Sequence, residues 1–202
     1  MVESQFNLLH QNSNIESKIV VSLERISQAF KVLLWSESKE NSLSPIQTQI
    51  LIFLLFHSPE KGKVSYLANE FNLTKATISD TIKTLESKEL IRKVFEEKDA
   101  RSYTIELTES GKKTAELSAS FAKVIQNPID ELPEIEKEKL LENLLKIIYD
   151  LNQKGIITIQ RMCFNCQYYQ IKEDNHYCNL LNKTIVSKEL RVDCPEHNLI
   201  EE

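Results

Sequence analysis

Between residues 63 and 108 the chain changes its periodicity twice, and the order of those changes constrains its fold more than any other feature. Leu67, Ala68 and Phe71 give an apolar side to a short helix expected over 66–71, with Ser65 as its N-cap. Asn72 and Leu73 interrupt the period with a turn residue followed by an apolar plug. Thr74 is a suitable cap for a second helix reaching about residue 90, in which Ile78, Ile82 and Leu85 form one stripe at i, i+4 and i+7. Ile91, Arg92, Lys93, Val94 and Phe95 then lead into a turn, after which Tyr103, Ile105 and Leu107 alternate with polar residues as in a half-buried strand.

Helix, tight turn, helix and charged hairpin in that order make a winged helix. Its second helix enters the major groove of double-stranded DNA with its N-terminal residues nearest the bases. Opposite the apolar stripe stand Lys75, Thr77, Ser79, Asp80 and Lys83, groups suited to phosphates and base edges. The candidate DNA contacts are therefore Thr74, Lys75, Thr77, Ser79 and Lys83 on the helix, with Arg92, Lys98 and Arg101 on the hairpin. Arg101 suits a narrow minor groove best. The competing reading of the hairpin charges is a solvated strand edge that discourages pairing with other chains. Residues 63–108 hold eight Lys or Arg and eight Asp or Glu, and the whole chain has a formal net charge of -5. DNA affinity rests heavily on phosphate neutralisation, so the segment is expected to sort its charge by face, to act in two copies, or both.

The flanks supply the second copy. Ser44, Pro45 and Gln47 start a helix with a cap, a proline in the first turn and a capping box. That helix carries the longest apolar run, 50–56, far too short to span a membrane. A helix over 14–35 carries Ile15, Ile19, Leu23, Ile26, Phe30 and Leu34; another is expected over 109–126, closed by Asn127 and Pro128. A third, over 134–152, carries Ile135, Leu140, Leu141, Leu144, Leu145, Ile148 and Leu151. These helices have more apolar surface than one small domain can cover, so a homodimer is expected; packing of all three inside a monomer is the alternative. Trp35 is expected in the core, and His10 and His57 at the surface or at helix ends.

Over roughly residues 10–153 the chain resembles the MarR family of bacterial transcription regulators. The resemblance is carried by the run from Leu43 through Ser44, Pro45, Ile46, Gln47, Thr48, Gln49 and Ile50 to Leu51, by Leu67 and Ala68, by Thr77, Ile78 and Ser79, and by Leu85 and Glu86. Asp99 and Arg101, followed by Leu107, Thr108 and Gly111, complete it. It implies a repressor acting as a homodimer on a pseudo-palindromic operator, often tuned by a small-molecule effector or by oxidation. Two positions depart from the family pattern. Glu89 stands where a glycine often precedes the apolar pair Leu90 and Ile91, and Ala100 stands where a second arginine often precedes Arg101.

Residues 155–202 are a different kind of sequence. All four cysteines of the chain lie there, Cys163 and Cys166 separated by two residues, then eleven residues to Cys178 and fifteen to Cys194, with His176 and His197 nearby. Two thiolates two residues apart can converge on one ion from a tight turn, and four soft ligands in so short a segment suit zinc or an iron-sulfur cluster. Fewer than fifty residues with little secondary-structure patterning bury little apolar area, so a metal would supply the stability. Zinc is the expected ion, held by four cysteines or by three and His176 or His197, with a 4Fe-4S cluster as the alternative and His176 otherwise a support behind the ligands. A disulfide pair would need an oxidising compartment. The segment also resembles the cluster-binding part of high-potential iron-sulfur proteins, through Cys163, Cys166 and Tyr169, then Cys178, Asn179, Leu180 and Leu181, then Cys194 and His197. That resemblance implies a cluster wrapped by Phe164, Tyr168, Tyr169 and Tyr177.

The expected architecture is mainly α with a small β-hairpin: residues 1–154 form a winged helix (about 44–110) with helical dimerisation elements, and 155–202 a small metal-stapled extension. The N-terminus shows no basic segment followed by an apolar core, so no signal peptide is expected and the cytoplasm is the expected location. With three glycines in the chain and no phosphate loop or general base beside the cysteines, no enzyme is expected. The alternative function is an iron-sulfur or thiol redox protein whose winged helix makes protein contacts.

Overall fold

Among the described residues, four helices stop in the same way, and those stops aim the segments that follow. They are α2 (Ile15–Glu40), α4 (Val64–Glu70), α5 (Lys75–Ser87) and α8 (Glu134–Gln153). Just beyond each stands a residue of positive φ: Ser42 at 53°, Asn72 at 54°, Glu89 at 58° and Gly155 at 68°. The next residue is apolar, and its N–H reaches back five residues: Leu43 to Ser38, Leu73 to Ala68, Leu90 to Leu85 and Ile156 to Leu151, at 2.8–3.1 Å. This closure satisfies carbonyls that the helix end would leave open. Leu43 and Leu90 are thereby folded into the core. Glu89 occupies a left-handed position that favours glycine, which accounts for the glycine often found at this place in the pattern the chain resembles.

This computed structural model describes residues 4–96 and 99–200, with the side chains of all of these except 96 and 99–101. The chain is mainly helical with small antiparallel sheets, and residues 45–107 form a winged helix. α3 (Pro45–Phe56) opens with the expected capping box of Ser44 and Gln47. It packs with α4, α5 and a hairpin of β1 (Ile91–Glu96) and β2 (Asp99–Leu107), in which Ile91 faces Leu107, Lys93 faces Ile105 and Phe95 faces Tyr103. Ile50, Leu51, Leu67, Ile78, Ile82, Leu85 and Ile105 are fully buried at its centre. α6 (Glu109–Ser118), capped by Thr108, then crosses back over the hairpin base. A Cβ on Gly111 would come within 1.8 Å of the Leu90 carbonyl oxygen. The glycine three residues after Thr108 is thus a packing requirement of this crossing.

Several sequence expectations are corrected. α4 begins at Val64, with Ser65 inside its first turn and no side-chain cap at Lys63. α5 ends at Ser87 rather than near 90, because the left-handed Glu89 turns the chain. α2 runs on to Glu40, preceded by a separate short α1 (Leu8–Ser13), with Asn14 capping the longer helix. The helix expected over 109–126 is two. α6 ends where buried Ser118 bonds Glu37 at 2.8 Å and Asn41 at 3.2 Å, and α7 (Lys123–Asp130) follows. Pro128 lies inside α7, where it forfeits one backbone bond without ending the helix. Trp35, expected in the core, is 64% exposed.

After Gly155 the chain runs back along α4 and then folds on α8. It forms a three-stranded antiparallel meander of β3 (Tyr169–Lys172), β4 (Asn175–Cys178) and β5 (Lys183–Thr184). Glu173 and Asp174, both of positive φ, join β3 to β4 in a two-residue turn whose twist suits a hairpin. Met162, Ile185 and Leu190 bury against Leu145 of α8, flanked by Leu141, Ile148 and Tyr149. Part of the α8 stripe therefore meets this segment. Among the described residues no helix is long and apolar enough to cross a membrane.

Candidate functional site

The first site is the outer face of α5. Thr74 caps the helix, accepting from the Thr77 N–H at 3.1 Å, and the two hydroxyls lie 2.8 Å apart. Ile78, Thr81, Ile82 and Leu85 are buried beneath. This leaves Lys75, Thr77 and Lys83 exposed and Ser79 half-buried. Lys83 pairs with Asp80 at 3.1 Å, while Lys75 makes no ion pair among the described residues. A cation at the first turn of a helix opposes the macrodipole. It is therefore better placed to meet an external phosphate than to stabilise its own helix.

The hairpin sorts its charges by face. Lys93 points toward α5, where it pairs with Glu86 at 2.5 Å and lies over the Tyr103 ring. Arg92 points the other way and pairs with Glu106 across the strands at 2.8 Å. Arg92 is thus partly neutralised within the hairpin. Lys98 and the side chain of Arg101 lie outside the described residues.

The second site holds the cysteines. Cys163, Cys166, Cys178 and Cys194 line one cavity of about 40 Å³, walled by Tyr168, Tyr169, Leu180, Leu181 and Ile185. All four are free thiols. The backbone N–H of Arg191 donates to Cys163 Sγ, and its guanidinium to Cys194 Sγ, each at 3.2 Å. Burial pushes the Cys163 thiol pKa up, and the other three cysteines add to that. Neither histidine lines the cavity. His176 Nδ1 lies 2.7 Å from the Tyr169 hydroxyl, which burial pushes up to about 12, and His197 lies 3.0 Å from Asn165 Oδ1. Among the described residues no three His, Cys, Asp or Glu side chains are grouped closely enough to hold a metal ion as they stand.

Sequence reasoning missed the junction between the two sites. Arg161, with a side chain 9% exposed, donates to both carboxylate oxygens of Asp193 at 2.7 Å. It also donates to both oxygens of Glu70 at 2.6 and 3.1 Å, and to the Tyr66 hydroxyl at 2.9 Å. The guanidinium lies against the rings of Phe53 and Tyr66. His57 stacks on Phe53 and reaches Asp193 at 2.9 Å. It sits at a helix end as expected, yet it belongs to this network. Burial alone would push the Asp193 carboxyl up, but hydrogen bonds from Arg161 and His57 outweigh it and hold it at about 2. No local pattern marks such a cluster, because its members lie up to 136 residues apart.

The fold and the exposed helix face define a class, and comparison agrees with it. Residues 43–111 match the winged helix DNA-binding domain. Among solved structures the chain is similar to MepR of S. aureus, a MarR-family regulator. The MepR–DNA complex is 26% identical with a TM-score of 0.58, over 65% of this chain and 97% of that one. MepR in its DNA-binding conformation is 27% identical with a TM-score of 0.58, over 66% and 98%. A MepR mutant from a multidrug-resistant clinical isolate is 27% identical with a TM-score of 0.53, over 66% and 96%. No curated protein matches the chain significantly.

Proposed function

We propose that this chain is a MarR-type transcription regulator, a repressor that binds a pseudo-palindromic operator in the cytoplasm as a homodimer. The observation that carries this reading is the exposed, polar N-terminal half of α5 on a winged-helix scaffold, with Lys75 unpaired among the described residues at its first turn. The likeness to a MepR structure solved with DNA supports it.

The dimer is supported by α2. In a helix of 26 residues only Ser17, Leu34 and Ser38 are buried, while Ile15, Ile19, Val20, Ile26, Phe30, Val32 and Trp35 are exposed. A second copy would cover this face and set two recognition helices one turn of DNA apart, doubling the phosphate contacts of a charge-balanced segment. A small-molecule effector belongs to the same reading.

Residues 155–202 are, on this proposal, a separate metal-binding module beside a regulator spanning 1–154, with Cys163, Cys166, Cys178 and Cys194 as ligands. The donor set fits: four thiols on one cavity, with N–H groups aimed at two of the sulfurs. Zinc would draw all four sulfurs to about 2.3 Å from one point. The cavity, about 40 Å³, is roughly three times what one water needs. The four sulfurs suit zinc, with a 4Fe-4S cluster as the alternative.

The test is operator binding by Lys75→Ala and Arg101→Ala variants across a salt series. Each is expected to weaken binding across sequences and to lower the salt slope by about one. Unchanged affinity and slope in both would contradict the groove assignment. Anaerobic purification with metal analysis and an absorption spectrum tests the module: a colourless protein with about one zinc per chain would contradict the cluster.

A further inference from the structure

We infer that Arg161 couples the four-cysteine module to the helix-turn-helix, so that the state of the cysteines sets the affinity for DNA. The inference rests on the reading of the chain as a DNA-binding regulator whose four thiolates hold a metal centre, and it names the regulation of that site.

A continuous path of bonds joins the two sites. At one end, Cys194 lines the cysteine cavity and receives the Arg191 guanidinium, which also holds Glu196 at 2.9 Å. The Cys194 N–H donates to the Arg161 carbonyl at 2.8 Å, and the neighbouring Asp193 takes two bonds from the Arg161 side chain. At the other end, Glu70, which takes the other pair, is the last residue of α4. Two further bonds fix the same turn. The Thr158 hydroxyl donates to the Asn69 carbonyl, and the amide of left-handed Asn72 donates to the Ile156 carbonyl at 3.5 Å. Thr74, two residues beyond Asn72, caps the recognition helix.

The turn that aims α5 is therefore held from behind by residues 156–161, and those are held by the segment carrying Cys194. The guanidinium is the element that cannot let go cheaply. It is buried between two carboxylates, and losing one leaves a buried charge half-compensated. With Cys194 engaged, Asp193 is presented to Arg161. With Cys194 released, residues 191–197 keep their bonds to Cys163, Arg161, His57 and Asn165 but lose the anchor at the sulfur, which weakens the hold of Asp193 on Arg161 and loosens α4 and the turn. Coupling between two sites through such an element typically changes affinity about 5- to 150-fold.

The test uses the full chain and an operator fragment recovered by genomic selection. Wild type, Arg161→Gln and Asp193→Asn are each assayed metal-loaded and after chelation under reducing conditions. Metal content is measured separately, and hydrogen exchange reports the protection of α3, α4 and α5. Stripping is expected to weaken wild-type binding about tenfold or more and to lower protection in α4 first. The variants are expected to change less than twofold on stripping. Asp193→Asn leaves the Arg161–Glu70 pair in place, so it serves if Arg161→Gln does not fold. Wild type binding equally well loaded and stripped, or variants losing as much as wild type, would overturn the coupling while leaving metal and DNA binding standing. A chain without metal in the analysis, or without operator binding in either state, would overturn the underlying reading, and the coupling with it.

Discussion

The winged helix and the cysteine segment solve the same problem in opposite ways. In the first, apolar residues from α3, α4, α5, both strands of the hairpin and α6 close a shared core, and helix caps and Schellman-type turns satisfy the ends. In the second, Met162, Ile185 and Leu190 form a thin layer that needs Leu145 of α8 to complete it, beside a cavity walled by four thiols. A segment that cannot bury enough apolar area needs another source of cohesion. One region is thus self-supporting and presents a fixed helix, whereas the other has a thinner core and, on the proposed reading, depends on its cysteines. On that proposal the contrast sets a rigid reader beside a labile element.

The contrast can be broken or sharpened by experiment. The largest effect is expected at the proposed metal centre: stripping a metal-loaded chain should abolish hydrogen-exchange protection in β3–β5 while leaving α3 and α5 protected. Uniform loss of protection across both regions would contradict the division. Next, Ile78→Ala should cost about 2–5 kcal/mol in denaturant unfolding of the winged helix, since it empties a fully buried site. Gly111→Ala should cost about 1–3 kcal/mol, because the Leu90 carbonyl occupies the space of the new methyl group. A neutral result would mean that α6 crosses the hairpin base differently. The smallest effect is a gain: Glu89→Gly should raise stability by roughly 1 kcal/mol by relieving left-handed strain, read as an upward shift in the denaturation midpoint.

The sequence disclosed elements whose signals are local. The Thr74 cap, the Ser44 capping box and the stripe of Ile78, Ile82 and Leu85 follow from spacing, and the structure carries all three. It disclosed less where tertiary contacts decide. The break after Ser118 depends on bonds to Glu37 and Asn41 in α2. Trp35 reads as core from its side chain alone, and only the tertiary arrangement places it on the outer face of α2. The turn at Glu173 and Asp174 lacks the glycine that usually marks a two-residue hairpin, so the meander was not foreseen. The clustering of the cysteines was visible from their spacing, but their common cavity required three segments to meet. Arg161 was invisible: a lone arginine between Gln160 and Met162 signals nothing until Glu70 and Asp193 arrive from opposite directions.

The most direct test of the central claim is a selection of genomic fragments by the full chain, followed by footprinting and a count of chains per duplex. The account predicts enrichment of an inverted repeat whose half-sites lie about one helical turn apart, two chains per site, and weaker binding when Lys75 is replaced by alanine. Recovery of no common sequence, with binding that a Lys75→Ala variant retains in full, would contradict it.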